Sequence, residues 1–493
     1  MRELGRREFL GMCASAGLLG CARLPGALGF PGPPALAGDA LDQAARVRRG
    51  ETSPRELVLE TIARIEALDG PLNAVTTRFF ERALRRADGP LPDGPFRGVP
   101  FLLKDLNDLA GTRKTMGSRL FADFVSPQSS PHTQRTLDAG MIVLGKTNTP
   151  EFGLVATTES ALLGLCRNPW DPTRSSGGSS GGAAVAVAAG MLPMAQGSDG
   201  GGSIRIPASC CGVFGLKPSR GRNPPEEPSE PVGLAVKHAL SRSVRDSAAY
   251  LAVTEQRGAT APLEPVGFVK EPARRRLRIA FHTDNVYGRA ADPEVAAAVE
   301  STAQLCEELG HRVEPATPDY QGEAFREHFL DLWASVPAAI EEQVRERGGD
   351  PTRVLEPVTL GMAALYRSRP EGAIQRAIAF FSSYSHRMNG FFEEYDALLT
   401  PVLRTPPIPL GTQAGTLPFD RVLEPLFDYV SYTPVWNATG NPAMSVPLGW
   451  SAAGLPIGSQ LIARLGGEAT LFSLAYELEA VAPWADRWPP RSV

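Results

Sequence analysis

Residues 175–219 read SSGGSSGGAAVAVAAGMLPMAQGSDGGGSIRIPASCCGVFGLKPS, and this stretch decides the fold. Two of its serines are flanked by glycine: Ser179 in GGSSGG and Ser203 in DGGGSIR. Glycine beside a serine lets the backbone bend sharply and approach a bound group closely. Consecutive N–H groups in residues 200–203 can point together at an oxyanion. The pattern therefore favours acyl transfer with serine as the nucleophile.

A segment rich in glycine and serine can also be a flexible linker. Here, however, it alternates with the apolar runs VAVAA and SIRIP, which are suited to burial. Residues 183–189 predict a tightly packed helix that ends at Gly190 and Pro193. We therefore interpret the stretch as part of a folded core.

Lys104 follows a short apolar run, residues 99–103, that predicts a buried strand. A lone lysine usually extends its amine to water, so a surface position is the alternative. If the side chain is buried without a partner, its charged form is disfavoured. A neutral lysine can act as a general base.

Residues 140–147 formally match the phosphate-binding pattern G-x-x-x-x-G-K-T. That loop requires a strand before its first glycine and a helix after its lysine. In this sequence the apolar run MIVL lies inside the motif and Pro150 follows soon after it. We therefore do not predict nucleotide binding.

The N-terminus predicts an export signal. Arg6 and Arg7 form a twin-arginine pattern, and an apolar run of signal-peptide length covers residues 9–19. A small-x-small cleavage site ends at Ala37, so we expect a signal peptide over residues 1–37 and a periplasmic or secreted protein. Lipidation at Cys21, which follows Leu18-Leu19-Gly20, is the alternative.

Composition limits the classes of partner. The sequence is 43% hydrophobic and 21% charged with a formal net charge of −4, so it lacks the basic excess of a nucleic-acid-binding protein. No second apolar run is long enough to span a membrane. The cysteines and histidines lack metal-ligand spacing, and we predict neither a metal nor a cofactor.

Alternating helix and strand patterns predict an α/β fold. We expect helices over residues 40–70, 79–87, 133–139, 293–309, 322–346, 370–395 and 468–479. Short apolar runs predict strands over residues 141–144, 277–281 and 397–399. Residues 53–56 form a capping box with proline at the first helical position.

The central blocks are similar to those of the amidase signature family of serine hydrolases. GVPFLLKD around Lys104, GKTNTPEFG at 145–153, LSRSVRD at 240–246 and GLPIGSQLIA at 454–463 also resemble family blocks. The resemblance is weaker between about residues 255 and 425. Within the family, the central blocks look most similar to 6-aminohexanoate cyclic-dimer hydrolases and related cyclic amide hydrolases.

The resemblance implies a large mixed β-sheet sandwiched between layers of α-helices. It also implies one amidase domain over residues 38–493, with a catalytic core at about residues 95–250. We assign residues from about 320 to 430 to a cover that faces the substrate, because functional variation collects on such insertions.

Carried over residue by residue, the resemblance makes Ser203 the nucleophile, Ser179 the bridging serine and Lys104 the base. It also implies a cis peptide bond between Gly178 and Ser179. The expected donors to the oxyanion are the backbone N–H groups of Gly200, Gly201, Gly202 and Ser203. Asp199 and Arg205 flank the nucleophile, and we expect a buried ion pair because either charge alone would be costly to bury.

The sequence therefore predicts a hydrolase that cleaves a small or cyclic amide. One alternative is an amidotransferase subunit of the glutamyl-tRNA type, against which the export signal argues because tRNA is cytosolic. Another is a catalytically silent binding protein, against which the intact triad argues. The sequence leaves open the identity of the amide and the oligomeric state, for which a homodimer is one alternative.

Overall fold

The computed structural model describes residues 36–224 and 233–490. The predicted signal peptide, apart from its last two residues, lies outside the described residues. The described residues fall in one compact unit. Among the helices in these described ranges, none combines the length and the apolar character that a membrane span requires.

The fold is α/β. The helices are α1 (Ala40–Arg48), α2 (Pro54–Leu72), α3 (Phe80–Ala87), α4 (Pro131–Asp138), α5 (Gly181–Ala188), α6 (Arg205–Cys211), α7 (Val244–Thr254), α8 (Pro293–Glu308), α9 (Gly322–Glu346), α10 (Pro351–Val354), α11 (Pro357–Arg367), α12 (Ala373–Glu394), α13 (Phe419–Tyr429), α14 (Pro434–Thr439) and α15 (Glu468–Val481). The strands are β1 (Val75–Arg78), β2 (Pro100–Lys104), β3 (Ile142–Thr147), β4 (Glu159–Ser160), β5 (Gly164–Leu165), β6 (Met194–Asp199), β7 (Phe214–Lys217), β8 (Val236–Ser241), β9 (Arg278–Phe281), β10 (Arg312–Pro315), β11 (Ala397–Pro401), β12 (Ala443–Trp450) and β13 (Pro456–Ile462). Two short 3-10 turns are Arg119–Phe121 and Glu151–Gly153.

A mixed eight-stranded sheet forms the centre of the molecule, with the order β10-β9-β11-β13-β12-β7-β8-β6. β9 pairs in parallel with β10 and β11, and the other neighbours are antiparallel. A separate three-stranded sheet has the order β1-β3-β2. Its strand β2 packs beside β6, so the two sheets meet where Lys104 lies.

Helices cover both faces of the large sheet because alternate strand residues point to opposite sides. In β11, Ala397 and Leu399 pack in one core with α7, α8 and α15. Leu398, between them, packs in a second core with α9, α12 and α14. The predicted sheet between helical layers is therefore confirmed.

Helix α5 packs closely against its surroundings because its side chains are small. All of its residues are buried, which confirms the helix predicted over residues 183–189. A Cβ atom at Gly182 would lie 2.3 Å from the Asn148 backbone nitrogen and 2.6 Å from the Ala74 carbonyl oxygen. Glycine is therefore required where this helix crosses the ends of β1 and β3.

Most predicted elements are confirmed, with two corrections. The helical region over residues 40–70 is two helices, because Ser53 caps a new helix with the predicted capping box. That helix also continues past Gly70 and Pro71, and it ends where Asn73 adopts a left-handed conformation with φ of 54°. Proline removes one hydrogen bond in the last turn and does not stop the helix there.

The formal phosphate-binding motif lies in a strand. β3 contains both Lys146 and Thr147, and every residue of this strand is buried. A loop that could surround a phosphate is therefore absent from residues 142–147, in agreement with the sequence analysis.

We predict opposite effects on stability for two helical glycines. Gly182→Ala should lower the free energy of unfolding by about 1–3 kcal/mol, because the new methyl group meets backbone atoms that cannot move away. Gly390→Ala in α12 is the matched control, since nothing lies within 4 Å of the added Cβ. It should stabilise the protein by up to about 1 kcal/mol. Urea unfolding measures both changes, and equal effects would contradict the packing argument.

Candidate active site

Lys104 lies at the end of β2, at the seam between the two sheets. Its side chain is 0% exposed. Its backbone N–H donates to Gln196 Oε1 at 3.0 Å, so a side chain of β6 takes the place of a strand partner. Asn107 Nδ2 donates to the same oxygen at 2.5 Å. These contacts fix the position of the Lys104 backbone, from which the side chain extends.

The Lys104 amine reaches two serine hydroxyls. Nζ lies 2.6 Å from Ser179 Oγ and 3.0 Å from Ser198 Oγ, and both are hydrogen bonds. Ser179 follows Gly178 through a cis peptide bond, as the family resemblance implies. The structure therefore brings two of the three predicted triad members into direct contact.

Burial changes the protonation of this amine. Loss of water around Lys104 lowers its pKa from 10.5 to about 7, and the negative charge of Asp199 opposes that change only in part. Near neutral pH a substantial fraction of the amine is therefore uncharged and able to accept a proton.

Ser203 lies at the same cavity as Ser179 but without a hydrogen bond between the two hydroxyls. The segments that carry them are joined by Ser180, whose N–H donates to the Ser203 carbonyl at 3.2 Å. The Ser180 hydroxyl also donates to the Ser198 carbonyl at 3.1 Å and accepts from the Ser198 N–H at 3.2 Å. One residue thus ties together all three serine-bearing segments.

Asp199 and Arg205 form the expected ion pair, and both side chains are fully buried. The guanidinium makes two bonds to the carboxylate, of 2.9 and 3.0 Å. It also donates to Gln460 Oε1 at 2.7 Å and to Asn437 Oδ1 at 2.6 Å. Burial alone would raise the pKa of Asp199, but Arg205 and further cationic and polar neighbours hold it well below its usual range. The carboxylate therefore stays charged.

The predicted set of oxyanion donors needs one correction. The Gly202 N–H donates to Asp199 Oδ1 at 2.7 Å, so a carboxylate already occupies this donor. Gly200, Gly201 and Ser203 line the cavity. In the described part of the chain, no acceptor binds the N–H groups of these three residues. We therefore restrict the predicted donors to Gly200, Gly201 and Ser203.

A cavity of about 230 Å³ adjoins Gly200, Gly201 and Ser203. Its polar side chains are four serines, and the rest of its wall is aliphatic, aromatic or backbone. The wall includes Phe152 and Gly153 on one side and residues of α9 and α13, within the predicted cover. The lining serines are Ser179, Ser198, Ser203 and Ser335.

Sequence reasoning missed Gln196 and Ser198, although a signal for both was present. They are alternate residues of the buried strand β6, so they share one face of it. A polar pair with a period of two in a buried strand indicates a common polar partner. That partner is Lys104, through its backbone and its amine.

Gly153 is a third residue that sequence reasoning did not assign. A Cβ atom there would lie 2.9 Å from Ser179 Oγ and 3.1 Å from Leu106 Cδ1, and its φ is 70°. Glycine at this position therefore lets the turn Glu151–Gly153 approach the Ser179 hydroxyl.

Other reactive residues take no part in the cavity. The four cysteines from Cys166 onward are free and buried. All six histidines lie in the described part of the chain, and none lines the cavity. Across residues 36–224 and 233–490, no group of three histidine, cysteine or acidic side chains could hold a metal ion.

Comparisons with known proteins agree on one class. The Amidase family profile matches residues 56–472. "Putative amidase AmiC" of Mycobacterium tuberculosis (strain ATCC 25618 / H37Rv) is 41% identical over 453 residues, which cover 91% of this chain and 95% of the relative. "6-aminohexanoate-cyclic-dimer hydrolase" of Paenarthrobacter ureafaciens is 36% identical over 92% of this chain and 96% of its own.

The solved structures agree as well. A structure of 6-aminohexanoate cyclic dimer hydrolase complexed with substrate has a TM-score of 0.84 and 33% identity, and the match covers 92% of this chain and 98% of that one. The fold and the relatives define an enzyme class, the hydrolases of amide bonds. The chain belongs to the amidase family.

We predict that Gly153→Ala lowers kcat/KM at least about tenfold, because the added methyl group displaces the Ser179 hydroxyl from the amine. Gly454→Ala is the matched control, since Gly454 has a φ of 77° and nothing within 4 Å of its Cβ position. Both variants should lose about 1–2 kcal/mol of stability through left-handed strain. Steady-state kinetics with unfolding curves separates the two effects. Equal activity in both variants would show that Gly153 does not position Ser179.

Proposed function

We propose that this protein hydrolyses the C–N bond of a small or cyclic carboxamide through an acyl-enzyme on Ser203. The observation that carries the proposal is the buried 2.6 Å hydrogen bond between the Lys104 amine and the Ser179 hydroxyl. An amine with a pKa of about 7 in this position is a base suited to neutral pH.

In the first half-reaction, neutral Lys104 accepts the proton of Ser179, and Ser179 accepts the proton of Ser203. The Ser203 oxygen forms a bond to the amide carbon, and the carbonyl oxygen becomes an anion. The backbone N–H groups of Gly200, Gly201 and Ser203 stabilise that anion, and loss of one such donor costs about 3 kcal/mol of barrier.

The tetrahedral intermediate then collapses. The C–N bond breaks, the proton returns through Ser179 to the leaving nitrogen, and Ser203 keeps the acyl group as an ester. In the second half-reaction water attacks the ester by the same proton relay, which releases the carboxylic acid and restores the Ser203 hydroxyl.

Asp199 and Arg205 have a structural role in this proposal. Their ion pair binds the Gly202 and Ile204 N–H groups through Asp199, at 2.7 and 3.1 Å. It therefore fixes the backbone on both sides of Ser203. Residues on the far side of the pair, from α14 and β13, hold it in turn.

Export by the twin-arginine route to the periplasm or the outside, with lipidation at Cys21 as the alternative, is also our proposal. Its support is the Arg6-Arg7 pattern and the apolar run behind it. Cell fractionation of the full chain, with the Arg6 and Arg7 pair replaced by lysines as the control, measures this. Formation of a homodimer also stays a prediction, and light scattering of the purified protein tests it.

The test is an amide and ester panel with triad variants. Ser203→Ala and Lys104→Met should each lower kcat/KM more than about 10³-fold, because groups that act as a unit fail together. Ser335→Ala is the matched control, since this serine lines the same cavity but bonds to the Leu332 carbonyl of its own helix at 2.7 Å. Wild-type rates in Ser203→Ala would overturn the proposed nucleophile.

The pH dependence should follow the Lys104 amine. Below its pKa of about 7 the amine carries a proton and cannot accept another, so kcat/KM should fall as the pH drops and level off above about pH 8. Titration of Asp199 causes no further change in kcat/KM over this pH range, because its pKa is held low. Rates on an amide without titratable groups, taken from about two pH units below to about two above the Lys104 pKa of about 7, measure the profile. Activity that rises toward acid would contradict Lys104 as the base.

A further inference from the structure

One wall of the cavity is formed by a mainly apolar face of helix α9. Phe329, Leu332, Trp333 and Val336 of α9 all line the cavity. Their spacing of three and four residues puts them on the same side of the helix. The wall is thus a continuous surface along two turns of α9.

Helix α13 extends the wall with Leu426 and Phe427. The rings of Phe329, Trp333 and Phe427 contact each other, with centroids 5.7, 6.0 and 6.4 Å apart. Phe329 and Phe427 are almost completely buried. We call these three residues the aromatic wall.

Several charged side chains of α9 form ion pairs outside the cavity. Asp331 forms an ion pair with Arg369 at 2.9 Å, Arg326 pairs with Glu424, and Glu341 pairs with Arg345 and Arg367. None of them lines the cavity. Among the described residues that do line it, none is acidic or basic.

A charged substrate group placed against this wall would lose its water without gaining a partner, which is strongly unfavourable for an ion. An apolar group gains from the same contact, and aromatic side chains give the largest buried area per residue. Contact with this wall is therefore unfavourable for a charged group and favourable for an apolar one.

We propose that the acyl part of the substrate is uncharged and apolar and that it packs against the aromatic wall. This inference rests on the proposed function, since it concerns the acyl group that Ser203 carries in the proposed acyl-enzyme. It also opposes the glutaminase alternative, because glutamine carries an ammonium and a carboxylate that the described lining does not match.

Val336 is the specificity-determining residue that offers a direct test. It lines the cavity, yet it is 51% exposed, so it lies where the cavity meets solvent. A lysine there can keep its amine hydrated and still reach a carboxylate at the end of an acyl chain. Ile378 of α12 is the matched control, because it is an exposed β-branched helical residue at 37% exposure and does not line the cavity.

The experiment uses three 4-nitroanilides that differ only at the end of a six-carbon acyl chain. The hexanoyl anilide ends in a methyl group, the 5-carboxypentanoyl anilide in a carboxylate and the 6-aminohexanoyl anilide in an ammonium. Wild-type kcat/KM should favour the hexanoyl anilide at least about tenfold over each charged one. Val336→Lys should raise the carboxylate-to-methyl ratio at least about threefold and leave the ammonium compound unimproved. Ile378→Lys should leave every ratio unchanged.

Comparable rates for the three anilides, or no ratio change in Val336→Lys, would overturn the inference while amide hydrolysis stands. Absence of hydrolysis for these anilides and for the whole amide and ester panel would overturn the proposed function instead. Titration calorimetry of the three anilides against Ser203→Ala then tests the wall without turnover. Tighter binding of the hexanoyl compound supports the inference, and equal binding overturns it.

Discussion

The buried contact between Lys104 and Ser179 sets the condition that the surrounding structure has to meet. An amine stays partly uncharged near neutral pH only where burial removes water and no free carboxylate restores the charge. Asp199 is the acidic group that acts on Lys104, and its carboxylate is bound by Arg205, Asn437 and backbone N–H groups. The ion pair therefore serves two purposes: it shapes the backbone around Ser203 and leaves the amine without a counter-ion of its own.

The arrangement of sheets follows from the same condition. Lys104 has to enter from one sheet and the serines from segments that adjoin another, so the groups meet at the seam between β2 and β6. Gln196 joins the two strands there through its side-chain oxygen. Helix α5, made of glycine, alanine and valine, lies close behind the seam because larger residues would not fit.

Much of this was predictable from the sequence, and the parts that were not have physical reasons. The glycines around Ser179 and Ser203 indicate a restricted backbone, and the apolar run before Lys104 indicates burial. Both requirements can be recognised from the residue types along the sequence. The occupied Gly202 N–H, in contrast, depends on which atoms meet in space. Helix α13 was missed because Pro425 and several charged residues interrupt its apolar spacing. Helix α11 was missed because it is short and contains a glycine, Gly361. The boundary of α2 was misplaced because a proline in a last turn costs only one bond.

The aromatic wall and the proposed proton relay come from separate stretches of the chain. Residues 104–205 supply the amine, the hydroxyls and the backbone donors, whereas the three rings come from α9 and α13. Selection for a new amide can therefore act on two helices and leave the chemistry untouched. A fold divided in this way allows relatives to evolve different substrate ranges while they inherit the same reactive groups.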